Sequence, residues 1–129
     1  MSTPVKHHSP GFLAIVHDAK KRIREIDIEE YKRLVAADEA GQLIDVREDH
    51  EFEAAHAEGA IHLSKGIIER DVEKTFPDKQ AKLVLYCGGG YRSALATDNL
   101  QKMGYTNVIS LDGGWRAIEA SGLPLERKA

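Results

Sequence analysis

The chain has one cysteine, Cys87, so it has no internal disulfide, and nothing in it points to an oxidising compartment. It has no apolar run near the roughly 18 residues a membrane helix needs. Its first eight residues, Met1 to His8, lack the apolar centre of a signal peptide. No strong charge of either sign is present: the net charge is -3 and the pI about 6.1, which gives no reason to expect nucleic acid or an anionic membrane as partner. There is no internal repeat, no low-complexity run and no second domain. What remains is a 129-residue chain with 42% hydrophobic residues, enough for one core. A cytoplasmic location is the expectation.

Apolar periodicity organises the rest. An unstructured arm is expected over the first ten residues. Gly11 to Arg24 carries Phe12, Leu13, Ile15, Val16, Ala19 and Ile23 at helical spacing, with Lys20, Lys21, Arg22 and Arg24 on the other face. Ile26 to Ile28 suggests a short strand. Asp27 followed by Glu30 is also a capping-box pattern, for a helix to about Asp38 with Tyr31, Leu34 and Val35 as its stripe. Strands are expected at Leu43–Arg47, Ala60–Leu63, Leu83–Tyr86 and Val108–Leu111. Helices are expected over Glu48–Ala55, Gly66–Thr75, Ser93–Met103 and Trp115–Ala120. Strand and helix alternate, which implies an α/β fold: a mainly parallel sheet with helices on both faces. The continuous apolar run at Leu83–Tyr86 predicts a strand covered on both sides.

Ligands in such folds gather at the carboxyl ends of strands. Cys87 stands there, followed by Gly88, Gly89, Gly90, Tyr91, Arg92 and Ser93. Glycines let the backbone turn tightly and approach an anion. A helix start and the Arg92 charge both favour a thiolate. Two chemistries suit such a loop. Phosphatase or arsenate-reductase chemistry uses Cys, five residues, then Arg, to enclose a tetrahedral oxyanion. Sulfur transfer needs only to hold a sulfane sulfur on the cysteine. Four residues, Gly88 to Tyr91, separate Cys87 from Arg92, and that count favours sulfur transfer.

Four segments in order then carry a resemblance. Leu43-Ile44-Asp45-Val46-Arg47 resembles the first signature strand of the single-domain rhodaneses. Glu53 to His62, with His56, Gly59, Ala60 and Ile61, resembles their second segment, with Ala57-Glu58 replacing the usual pair before the glycine. Cys87 to Arg92 resembles their active loop, Cys-x-x-Gly-x-Arg. Asp112-Gly113-Gly114-Trp115 resembles their closing signature. The resemblance covers about Ile26 to Pro124. It implies a three-layer α/β/α domain over residues 26–129, preceded by an arm and an extra amphipathic helix over residues 1–25. It implies that Cys87 attacks a donor, thiosulfate or a small persulfide, and becomes a persulfide itself. A thiol, a protein thiol or cyanide then takes the sulfur. No cofactor is implied, and either a monomer or a homodimer fits.

Gly88 to Ser93 are expected to form the active loop, with their amides around the sulfur and Arg92 either steering the donor or bracing the loop. Asp45, Arg47 and Trp115 are expected to give structural support, Asp45 taking loop amides and Arg47 pairing with Glu53 or Glu58. The resemblance also implies that strong thiosulfate activity goes with further basic residues in the loop. Glycines and Tyr91 stand there instead, which points toward a persulfide donor. A non-catalytic or sulfur-relay module is the other reading of the same fold. His50, Glu51 and His56 stand at the wrong spacing for a zinc helix, so no metal is expected. His7-His8 is an incidental pair. Ser93 replaces the last glycine of a dinucleotide fingerprint, and no lysine completes a phosphate loop.

Overall fold

The computed structural model describes residues 8–128. Along the chain run α1 (Pro10–Lys20), β1 (Arg24–Ile26), α2 (Ile28–Ala36), β2 (Gln42–Asp45), α3 (Asp49–Ala54), β3 (Ala55–Ala57) and β4 (Ile61–His62). There follow α4 (Ile68–Thr75), β5 (Leu83–Tyr86), α5 (Tyr91–Lys102), β6 (Val108–Leu111), α6 (Gly114–Ala120) and β7 (Leu125–Arg127). Five strands form a parallel sheet in the order β1-β6-β5-β2-β4, and β3 pairs antiparallel with β7 as a separate ribbon.

The middle strand, β5, is buried along its whole length. Leu83 and Leu85 point into one core, with Ile68 and Val72 of α4 and Leu100 of α5. Val84 and Tyr86 point into the other, with Tyr31 of α2 and Ile118 of α6. A strand walled by helices on both sides has no solvent face, which is why its sequence is a continuous apolar run. The result is the expected three-layer α/β/α arrangement.

Several boundaries differ from expectation, each for a physical reason. Pro10 opens α1, where its missing N–H costs nothing. That helix stops at Lys20 rather than Arg24, because Arg24 pairs with Ile109 and so belongs to β1. Of the expected arm, Pro10 belongs to α1, and residues 1–7, His7 among them, lie outside the described residues. Asp27 does cap α2, accepting the Glu30 N–H at 2.8 Å. Of the α2 stripe, Tyr31 is buried, but Val35 is exposed. Helix α5 begins at Tyr91, two residues before Ser93, because Gly90 with φ +107° forms its left-handed N-cap. The two ribbon strands β3 and β7 were not foreseen. Each has three residues, and only their mutual pairing makes them strands.

The amphipathic α1 lies on α5. Val16 and Ala19 are buried, while Ile15 stays exposed. The Arg22 guanidinium donates to both Asp98 carboxylate oxygens, at 3.1 and 2.8 Å. Gln101 Nε2 donates to the Arg22 carbonyl at 3.0 Å.

Candidate active site

Cys87 follows the last residue of β5, between the carboxyl ends of β2 and β6. Its side chain is buried, and Cys87 is among the residues that line a cleft of about 690 Å³. The Gly90 N–H donates to Sγ at 3.1 Å. Ser93 Oγ lies 3.5 Å from Sγ and 2.9 Å from Ser110 Oγ, so two hydroxyls form a chain ending at the sulfur. The expected ring of loop amides is thus one amide and one hydroxyl in direct contact with Sγ. By helix geometry the amides of Tyr91, Arg92 and Ser93 have no intrahelical acceptor, and they sit at the same end of α5.

The loop is locked to the last helix through backbone. Trp115 N–H donates to the Cys87 carbonyl at 2.6 Å, and Arg116 N–H to the Gly88 carbonyl at 3.3 Å. Gly114, at φ +50°, lies so close to the Cys87 and Gly88 backbone that a Cβ would collide with it. That contact explains why glycine occupies this position of the Asp112-Gly113-Gly114-Trp115 segment.

Arg92 is turned to one side. Its guanidinium donates to both Glu51 carboxylate oxygens, at 2.8 and 3.3 Å. Each side chain of the pair is 28% exposed. The Arg92 hydrogen bond holds the Glu51 carboxyl at about 2, below the ordinary 4.5. The same bond raises the Arg92 pKa. The pair links α3 to the start of α5.

Asp45 and Arg47 pair with each other. The Arg47 guanidinium donates to Asp45 at 2.8 to 3.1 Å and to the Ala55 carbonyl at 2.7 Å, and the Arg47 N–H also donates to Asp45. The expected partners Glu53 and Glu58 do not take it. Both groups are buried at the end of β2, and each finds its partner two residues away in the chain. Burial works against the Arg47 charge, and the Asp45 bonds outweigh it, so its pKa is raised. Trp115 lies beneath, 4.6 Å from the guanidinium carbon and 6.5 Å from the Tyr86 ring.

The cleft has a wall that sequence reasoning did not assign to it. His8, just before α1, and Phe12, in its first turn, meet the Tyr91 ring edge-on at 4.7 and 6.3 Å. Lys20 Nζ stands 5.4 Å from the centre of that ring. Arg116 and His50 also line the cleft. Sequence reasoning missed Glu51, Ser110 and Arg116 as well. Ser110 had a faint signal, as the single polar residue in the apolar run of β6. His56 turns away, lying 2.7 Å from Glu126 and stacked on Phe52. Among the described residues no three of His, Cys, Asp and Glu stand together as a metal site.

A buried cysteine on a glycine loop, at the carboxyl edge of a parallel sheet and lining a cleft, defines the class: an α/β domain with a single thiol at the end of its middle strand. Residues 27–121 match the model of the Rhodanese-like domain, and the chain belongs to that family. It is 34% identical over 102 residues to a candidate sulfurtransferase of Bacillus subtilis, YtwF, covering 79% of this chain and 96% of that one. It is 33% identical over 94 residues to a candidate sulfur carrier protein of the same organism, YrkF, covering 73% of this chain. The chain spans about half the length of that relative, 50%. Among solved structures, the polysulfide-sulfur transferase homodimer of Wolinella succinogenes superposes with a TM-score of 0.76 at 26% identity, over 92% of this chain and 89% of that one. A Rhodopseudomonas palustris protein of unknown function, described as a tyrosine phosphatase candidate, superposes with a TM-score of 0.82 at 26% identity, over 96% and 100%. Sulfurtransferases and sulfur carriers are thus among the relatives of this chain.

Proposed function

We propose that the chain is a sulfurtransferase that carries sulfane sulfur on Cys87. The observation that supports this most is Cys87 itself, which lines a cleft and whose sulfur accepts from the Gly90 N–H and lies 3.5 Å from the Ser93 hydroxyl. The Cys87 thiolate attacks the outer sulfur of the donor, thiosulfate or a small persulfide. The donor's S–S bond breaks, and sulfite or the parent thiolate leaves with the electron pair. The new terminal sulfur on Cys87 then meets the amides at the start of α5, from Gly90 to Ser93. An acceptor thiolate, free or on a protein, or cyanide attacks that sulfur and releases Cys87, so turnover is ping-pong. Gly88 and Gly89 keep the loop open to the cleft, and Tyr91 walls it. Arg92 braces it from Glu51 and takes no direct part. Asp45, Arg47 and Trp115 hold the end of β2 beneath it.

The oxyanion chemistry of a phosphatase has less support. The loop is one residue short for it, and its arginine is already paired. The test is intact-protein mass after incubation with thiosulfate or glutathione persulfide, in wild type and Cys87→Ala. The expected result is a gain of one sulfur atom in wild type alone, removed by cyanide or a thiol. No gain from either donor, with hydrolysis of an aryl phosphate instead, would replace sulfur transfer with oxyanion chemistry. No activity of either kind would leave a binding module.

A further inference from the structure

The cleft is large for the smallest donor. At about 690 Å³ it falls in the range, roughly 300–1,000 Å³, that encloses organic ligands of drug size. A thiosulfate dianion fills little of it. The charges are also divided unevenly. Arg92 is committed to Glu51, whereas Arg116 makes no ion pair among the described residues. Arg116 is exposed, and its guanidinium hangs over Gly89, where a Cβ would stand 3.5 Å from Nη2. The rings of His8, Phe12 and Tyr91, which touch one another, line the same cleft. His8 and Phe12 precede the family-matched residues 27–121, whereas Tyr91 lies within them, so this wall is shared between the N-terminal segment and the matched domain. A thiol, a guanidinium free of ion pairs among the described residues and a cluster of aromatic rings in one cleft match one kind of molecule. It is an organic persulfide with a carbon body and a carboxylate.

We propose that Phe12, with His8, and Arg116 are specificity residues that select a carboxylate-bearing organic persulfide as the sulfur donor over thiosulfate. The proposal rests on the sulfur-transfer reading above. The guanidinium takes the carboxylate through paired hydrogen bonds, and the aromatic wall covers the carbon body. In the transfer, the Cys87 thiolate attacks the outer sulfur of R–S–SH. The donor's S–S bond breaks, R–S⁻ leaves with its electron pair, and Cys87 holds S–SH. No oxidant or reductant enters.

The experiment measures single-turnover loading of Cys87 by intact mass, with three probes: N-acetylcysteine persulfide, its methyl ester, and thiosulfate. Wild type is compared with Arg116→Ala, Arg116→Lys and Phe12→Ala. Arg116→Ala is expected to slow loading from the acid by about tenfold to a hundredfold, the factor of a lost charge-assisted hydrogen bond, and to leave the ester within about threefold. Arg116→Lys restores part of the loss. Phe12→Ala is expected to slow acid and ester alike while leaving thiosulfate within about threefold. Equal effects of Arg116→Ala on acid and ester would overturn the anion contact. A Phe12→Ala loss as great with thiosulfate as with the persulfides would overturn the wall. Wild type that loads from none of the three probes would instead sink the sulfur-transfer reading, and this proposal with it.

Discussion

At the scale of single residues, the cysteine is the easiest position to find and the least informative about its own surroundings. Cys87 was legible because it is the single thiol and ends an apolar run. Ser93 was legible only as a loop residue. Its contact with Ser110 joins positions 17 residues apart, and no local pattern carries that. Gly114 is the residue on which the loop depends most by contact. Its φ of +50° and the carbonyl of Cys87 both exclude a side chain. Gly114→Ala is expected to cost about 3 kcal/mol or more, because strain and a backbone collision add. Urea unfolding measures it directly. A loss below about 1 kcal/mol would mean that α6 can retreat from the loop without penalty.

At the scale of elements, the informative case is the short helix α3. Its composition announced a solvated acidic helix, and most of it is one. Glu51 is different because α3 lies where Arg92 reaches it, 41 residues further along the chain. Glu51 also accepts the Glu48 N–H at 3.0 Å, so one carboxylate serves both the helix start and the loop. Its folded pKa of about 2 lies below the ordinary 4.5, which fixes the sign of its pH dependence. A depressed carboxyl contributes stability at pH above its unfolded value. That contribution fades as pH falls from 4.5 toward 2. Glu51→Gln keeps the size and the cap acceptor but removes the charge. The stability gap between wild type and Glu51→Gln is expected to be about 1 kcal/mol near neutral pH. It should close as pH falls through that window. Thermal melts across pH 2–7 test it (about five points suffice), and a gap that does not change with pH would remove the ion pair as its cause.

At the scale of the whole molecule, α1 is the part that lies outside the family match yet packs on the domain. Val16 is completely buried in its contact with α5, and Arg22 ties the end of the segment to Asp98. Burial of this kind makes a helix part of the cooperative unit rather than an appendage. Val16→Ala is expected to destabilise the entire chain by about 2 kcal/mol, through lost burial and a small cavity. The melt should remain a single transition at a lower midpoint. A separate low-temperature transition for α1, with the remaining melt unmoved, would contradict the expectation. Such independence would also weaken the aromatic wall at the cleft, since His8 and Phe12 reach Tyr91 only while α1 is docked.

The sequence by itself determined the alternation of strands and helices, the buried middle strand and the glycine loop after Cys87. These depend on local periodicity, on glycine and on one unusual residue, all of which are written over a few consecutive positions. Its boundaries failed where pairing decides: Arg24 left the helix for the sheet, and the strands Ala55–Ala57 and Leu125–Arg127 exist only by facing each other. The partners of the charged residues were likewise decided by the tertiary structure. Arg47 took Asp45 and Arg92 took Glu51, because Coulombic attraction acts over the few ångströms that folding sets. The aromatic wall of the cleft was also a product of folding. Nothing in the segment from His8 to Phe12 points to a site 80 residues away until the helix that follows lies down on α5.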